Sequence, residues 1–242
     1  MKYLKAIIIV AILSCACARE VPEDLIDQRD GRVYRTTRIG DQTWMAENLG
    51  YMPYVSEVAA DSGIWVFGYD GKSKEWAEGL QNYTDFGCLY SWSAAMDVSN
   101  DYRNSWLGVG DSLHQGICPD GWHLPSDKEW QSLEDYADTN PDFERTDERI
   151  NSGNVGKKLK ADSVWAENMV GTNDYNFNAL PGGMRYFTGF FHKKIGYGYF
   201  WTSTEVYEKS AVYRYLRDSS DATFKGIPSK RLGLSVRCLK DD

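Results

Sequence analysis

Side chains able to do acid–base, nucleophilic or metal chemistry are few in this chain and poorly grouped. The three imidazoles, His114, His123 and His192, lie far apart. A zinc site would need long-range convergence, so a structural or surface role is expected for each. No Gly-x-Ser-x-Gly elbow, His-Glu-x-x-His pair, Walker loop or Cys-x-x-Cys pair occurs after the leader. Glu134 and Asp135 are adjacent on a predicted helix, where neighbours do not face each other, so they read as a solvated face. The mixed-charge run Asp142–Arg149 reads as an exposed segment, and the oxygen-rich stretch Asp97–Asp101 as an exposed turn rather than a cation site. A carboxylate pair assembled by folding, as glycosidases use, stays open. The sequence assigns no catalytic residue, no metal ligands and no cofactor.

Aromatic content is the unusual feature, with 9 Trp and 16 Tyr. Buried, such rings supply large apolar surface with a polar handle; exposed in a row, they stack on sugar rings. Core and turn packing is expected to take most of them. Trp65, Tyr69, Trp76 and Trp106 lie in loop-like segments and are the rings expected to be exposed and to bind a ligand. Trp122 and Trp130 are expected to pin a corner to the core.

Cysteine chemistry depends on the compartment. Residues 1–18 read as a signal peptide: Lys2 and Lys5, then an apolar run from Ala6 to Leu13 that is too short to span a bilayer, which needs about 20 residues. Ile12-Leu13-Ser14-Cys15 resembles a lipobox, which makes Cys15 the expected lipidation site. Ala16-Cys17-Ala18 offers ordinary cleavage and a freely secreted chain as the alternative. Export permits disulfides. Cys88, Cys118 and Cys238 then allow three pairings, each leaving one thiol over. Cys118–Cys238 is the pairing expected, closing a loop of about 120 residues that stabilises by roughly 4–5 kcal/mol. Three unpaired buried thiols are the alternative.

Lys and Arg number 27 against 35 Asp and Glu, a net charge of −8. Without Lys2 and Lys5 the mature chain has 25 against 35, or −10. Nucleic-acid binders carry basic patches, so that partner class is excluded. A membrane partner is expected only through the lipid anchor.

The elements that must position these side chains read as α+β. Residues 19–29 form a polar tether, and 30–242 a single domain. Gly40-Asp41 between two β-rich runs predicts a hairpin. Residues 50–86 have no helical period, and Ile64–Trp76 is read as a hairpin around Asp70-Gly71. Leu89–Val98 is a short helix candidate, and 100–113 reads as loop. Ser126 followed by Glu129 predicts a capping box, opening a helix to about Asp138 whose apolar face is Trp130, Leu133, Tyr136 and Ala137. Val155–Ala161 reads as one helical turn and Pro181-Gly182-Gly183 as a turn. The segments 197–205, 211–217 and 233–240 read as strands.

DGRVYRTTRIGDQTWMAENL, GCLYSWSAAM, ICPDGWHLPSDKEW, FNALPGGMR, FWTSTE and LSVRCLKD occur in that order. Together they resemble the Fibrobacter succinogenes major paralogous domain, from about Asp30 to Asp242. That resemblance implies an exported bacterial lipoprotein and an address more than a mechanism. HLPSDKEW, FWTSTE and SVRC are also similar to formylglycine-generating-enzyme-type domains. This second likeness implies a C-type lectin-like fold: twisted antiparallel sheets, two main helices, long loops carrying the site, and chain ends brought together. It further implies contact between the Cys118 loop and the Cys238 strand. The departures are specific. The formylglycine enzymes' C-terminal cysteine pair is reduced here to Cys238, and the calcium-lectin motifs Glu-Pro-Asn, Gln-Pro-Asp and Trp-Asn-Asp are missing.

The resulting expectation is an outer-membrane or cell-surface lipoprotein whose lectin-like domain binds a polysaccharide or a surface protein without catalysis. An enzyme of the formylglycine-generating type and a purely structural envelope protein are the alternatives.

Overall fold

A computed structural model describes residues 23–110, 112–138, 150–166 and 171–242. The signal peptide, Cys15 and the Asp142–Arg149 run lie outside them. Within them the chain is mixed, with antiparallel sheets and short helices. β1 (Leu25–Ile26) pairs with β2 (Val33–Tyr34), and β3 (Thr36–Ile39) with β4 (Gln42–Met45). β5 (Ile64–Trp65) is followed by helices α1 (Lys74–Glu78) and α2 (Gln81–Phe86). Then come β6 (Leu89–Tyr90), α3 (Trp92–Ala95), a 3-10 turn (Asn100–Arg103), β7 (Trp122–His123) and α4 (Asp127–Ala137). β8 (Ile150–Ser152), α5 (Val155–Leu159), β9 (Met184–Arg185) and β10 (Phe191–His192) lead into β11 (Tyr197–Tyr207), β12 (Ser210–Arg217), β13 (Thr223–Gly226) and β14 (Leu239–Lys240).

Two four-stranded sheets form the frame, in the orders β3-β4-β14-β7 and β11-β12-β13-β8. The last strand lies between the first hairpin and the corner strand: Leu239 pairs with both Trp44 and His123. The predicted Cys118–Cys238 disulfide is formed beside it, across 120 residues of sequence. Cys88 is free and buried.

α4 begins as its sequence directs. Ser126 Oγ accepts from the Glu129 amide at 3.2 Å, and Glu129 Oε2 accepts from the Ser126 amide at 2.7 Å. Such a box satisfies two amides that the first turn leaves unpaired. The helix seats Trp130 among Trp44, Phe177 and Phe200, at ring separations of 5.0, 5.6 and 5.6 Å. Tilted and edge contacts of this kind add to the area buried. Trp122 is buried in the other hydrophobic cluster, which also holds both disulfide sulfurs. The two indoles therefore pin the corner from opposite sides.

Six expectations are corrected. The buried face of α4 is Trp130, Leu133, Glu134 and Ala137, while Tyr136 is exposed. Positions i+3, i+4 and i+7 from Trp130 are Leu133, Glu134 and Ala137, whereas Tyr136 at i+6 falls on the other side. Glu134 is thus no solvated residue: it meets the buried Arg214 guanidinium at 3.4 Å. Instead of two main helices there is, among the described residues, one of eleven residues, the other four having four to six. The Leu89–Val98 helix shrinks to Trp92–Ala95, because Leu89 and Tyr90 pair with β5 and Ser91 caps the helix after them. No hairpin forms at Asp70-Gly71: β5 pairs with β6, and Ser73, accepting from the Trp76 amide, caps α1. In the expected tether, Leu25 and Ile26 pair with β2, and the buried Asp27 holds Arg29 at 2.7 Å.

Candidate functional site

β11 and β12 carry tyrosine at alternate positions, and alternation in a strand sends every second side chain to one face. Tyr199 stands opposite Tyr215, and Tyr215 opposite Phe224, so one row of three aromatics crosses three strands. Tyr197 and Tyr213 flank that row. The rings touch throughout: Tyr197–Tyr199 at 5.5 Å and nearly parallel, Tyr199–Tyr215 at 5.7 Å, Tyr213–Tyr215 at 5.3 Å, Tyr215–Phe224 at 4.9 Å. Gly226 stands opposite Tyr213, and a Cβ there would sit 2.7 Å from the Tyr213 ring. The missing side chain lets that ring lie across the strand.

Tyr197, Tyr213 and Tyr215 are half-buried, whereas Tyr199 and Phe224 form the floor. Burial pushes the Tyr213 phenol up to about 12, and that of Tyr199 higher. Both stay neutral at ordinary pH, so their hydroxyls can donate and accept. No described residue hydrogen-bonds either hydroxyl. Cations stand at one end of the face. Lys193 Nζ lies 5.4 Å from the Tyr197 ring centre, and the Arg217 guanidinium 4.5 Å from that of Phe224. Aromatic rings that touch along one sheet face, each with a polar end, offer an extended ligand an amphipathic surface.

The four rings singled out from sequence fall in different places. Trp65 is 0% exposed, donates its Nε1–H to Glu57 O at 2.9 Å and has the Arg185 guanidinium 4.3 Å from its ring centre. It is a core residue, because its pairing with Leu89 places it inside; the expectation of an exposed Trp65 is overturned. Tyr69 is half-buried, its hydroxyl donating to Ser73 O at 3.1 Å. Trp76 is 74% exposed on α1, and Trp106 50% exposed in the loop after the 3-10 turn. Among the described residues, neither of these two rings contacts another ring. That loop is strapped down: the Leu107 and Gly108 amides donate to Glu205, whose carboxylate meets the fully buried Lys230 ammonium.

A shallow groove of about 470 Å³ opens between the β3–β4 turn and α4, lined by Ile39, Gly40, Asp41, Gln42, Ser132 and Tyr136. It offers the single ring of Tyr136, against three half-buried rings in contact on the sheet.

The other chemistry-bearing groups are committed to the fold. Buried carboxylates each meet a cation: Asp27 with Arg29, Glu134 with Arg214, Glu205 with Lys230. His114 Nε2 sits 2.8 Å from Met96 O. His123 lies between two acids, Nδ1 at 2.7 Å from Asp241 and Nε2 at 3.0 Å from Glu129. Burial pushes the Cys88 thiol up to about 12, far from the thiolate form.

Sequence reading identified Tyr197–Glu205 and Ala211–Arg217 as strands without asking which face their tyrosines share. The signal was present as Tyr-x-Tyr in both segments.

No curated protein and no solved structure matches the chain. The model of the Fibrobacter succinogenes major domain matches residues 37–240, which include both four-stranded sheets, the disulfide and the tyrosine face. The chain belongs to the Fibrobacter succinogenes major domain family.

Proposed function

We propose that this chain is a cell-envelope lipoprotein, anchored through lipid on Cys15, whose domain binds a glycan without catalysis on the tyrosine face of β11, β12 and β13. The observation that carries the reading is the cluster of touching, half-buried tyrosine rings gathered on one face of the sheet. Sugar rings present apolar C–H faces with hydroxyls around them, and such a platform complements both. This moves the proposed contact from the loop rings Trp65, Tyr69, Trp76 and Trp106 to Tyr197, Tyr213 and Tyr215. A C-type lectin-like arrangement is part of the reading; the terminal strand between β4 and β7, which brings the chain ends into one sheet, supports it.

The formylglycine-generating alternative is disfavoured by thiol chemistry. Cys118 and Cys238 are joined, and the Cys88 thiol is buried and held protonated. Outer-membrane or surface placement and a polysaccharide partner complete the proposal.

The test is affinity electrophoresis through gels carrying plant and bacterial polysaccharides, with the unmodified domain and Tyr197→Ser/Tyr213→Ser. Retention by at least one polysaccharide, weakened tenfold or more in the double variant at unchanged melting temperature, is expected. No retention on any polysaccharide, or retention indifferent to the two substitutions, would defeat the reading.

A further inference from the structure

The geometry points to an acidic polysaccharide as the ligand: its sugar rings would stack on Tyr197, Tyr213 and Tyr215, with its carboxylates on Lys193 and Arg217. This rests on the glycan-binding reading and narrows its chemistry.

The first support is register. Arg217 stands directly opposite Tyr197 in the β11–β12 pairing, and Lys193 reaches over the same Tyr197 ring. Two positive charges therefore share one end of the aromatic face. Neither has an ion-pair partner among the described residues. Other arginines are committed to acids or to buried carbonyls: Arg29 to Asp27, Arg35 to Glu47, Arg214 to Asp127, Arg231 to Asp61, and Arg185 and Arg237 to main-chain oxygens. In a chain of net charge −8, unpaired cations beside one another stand out against the background.

The neighbouring acid does not neutralise them. Asp218 takes the Ser219 amide on one oxygen at 2.6 Å, and its field acts on Lys160, which packs against Trp165. Arg217 is also held in place, because its guanidinium rests on the Phe224 ring. Pinning a cation before the ligand arrives removes part of the ordering cost of binding. A planar guanidinium suits a carboxylate better than a hydroxyl, since it can donate two parallel hydrogen bonds. A neutral polymer would gain only hydrogen bonds to its hydroxyls from these cations, without an ion pair, and the net negative charge of the chain would oppose an acidic polymer away from them. Binding would therefore be local, and it would weaken with salt as exposed charge pairs do.

The experiment compares polygalacturonate with neutral galactan in affinity gels and in titration calorimetry, using the full domain. Variants are Lys193→Gln/Arg217→Gln and, as a substitution at an exposed position, Lys193→Glu alone. Preferential retention by polygalacturonate, lowered tenfold or more by the double variant, lowered also by Lys193→Glu and by 0.5 M salt (roughly a 4 Å screening length), is expected. Equal retention by galactan, lost with Tyr197→Ser/Tyr213→Ser and untouched by the charge variants, would overturn the acidic ligand and leave the glycan reading standing. Retention by polygalacturonate that ignores both cations would also overturn it. Failure of the unmodified domain on both polymers and every other polysaccharide would overturn the two together.

Discussion

His123 shows what one residue can be asked to do. Both ring nitrogens face carboxylate oxygens, at 2.7 Å from Asp241 and 3.0 Å from Glu129. A neutral imidazole carries one proton and would leave a lone pair against an anion; only the imidazolium satisfies both. Burial works against that charge, but the hydrogen bonds to Glu129 and Asp241 outweigh it and the net pKa is raised. A group with a raised folded value gives stability that is complete below its unfolded pKa, about 6.5, and is lost as pH rises through the folded value. Glu129 is shifted the other way: burial opposes ionisation, yet its bonds to His123 and Ser126 lower its pKa. Its contribution is present above the ordinary carboxylate range and disappears as pH falls. The clamp should be strongest in mildly acidic solution. His123→Gln should cost about 2 kcal/mol near pH 6, the range for a hydrogen bond to a charged group, and clearly less near pH 9. Urea melts of both proteins at the two pH values would check it; an equal loss at both would show the ring is uncharged. Only the first half of this is legible in the sequence. Ser126 and Glu129 announce themselves as a capping box because they lie three residues apart. Asp241 does not, because it arrives through β14 from 118 residues away.

At the scale of elements, local signals were legible and long-range ones were not. The Gly40-Asp41 hairpin, the α4 start and the long strands follow from turn chemistry and periodicity within a dozen residues. Ile64-Trp65 was misread because its partner, Leu89-Tyr90, lies beyond two helices, so alternation near it carried no information about the pairing. Trp65 became a core residue for that reason. The loop from Ser99 to Gly110 depends on a contact that sequence could not give. Lys230 is fully buried and donates to Tyr102 O at 3.1 Å and Ser105 O at 2.9 Å; Glu205 neutralises it and takes the Leu107 and Gly108 amides. A buried charge whose partner is removed costs about 3–5 kcal/mol. Glu205→Gln should therefore destabilise by about 3 kcal/mol, since the carbonyls around Lys230 remain, and should free the loop first. Arg103 and Trp106 lie in that loop. Trypsin should cut after Arg103 at least tenfold faster in the variant, in native buffer where the sheets stay folded. Cleavage accelerating only in step with global unfolding would mean the strap is not local.

The whole molecule is closed by its last strand, and that closure is what the ordered motifs in the sequence encode. β14 is two residues long yet lies between β4 and β7, so it supplies few ladder bonds of its own. Two other restraints hold it. Arg237, the residue before Cys238, is wholly buried and donates to Asn48 Oδ1 at 3.0 Å, Met45 O at 3.2 Å and Asn178 O at 2.7 Å. Desolvation lowers its pKa to about 9, so the guanidinium keeps its charge at neutral pH with carbonyls around it and the Phe177 ring 4.7 Å away. Cys238 itself is tied to Cys118 across 120 residues. Cross-linking a loop of that length lowers the entropy of the unfolded chain by an amount worth roughly 4–5 kcal/mol. Total stabilities of domains are about 5–15 kcal/mol, so the bond decides whether a marginal closure holds. Cys118→Ser/Cys238→Ser should lower the unfolding free energy by about 4 kcal/mol, with His123 and the tyrosine face affected in different degrees. His123 sits on the strand that β14 pairs with, so its clamp should weaken first. The β11–β12 pairing is held by its own ladder, which runs from Tyr197–Arg217 to Tyr207–Ser210, and should persist to higher denaturant despite the Phe200–Ser235 bridge to the terminal segment. Hydrogen exchange on the reduced protein would separate these. Uniform exchange across both sheets would mean that closure and ligand platform form a single cooperative unit, and glycan binding would then be lost on reduction along with the fold.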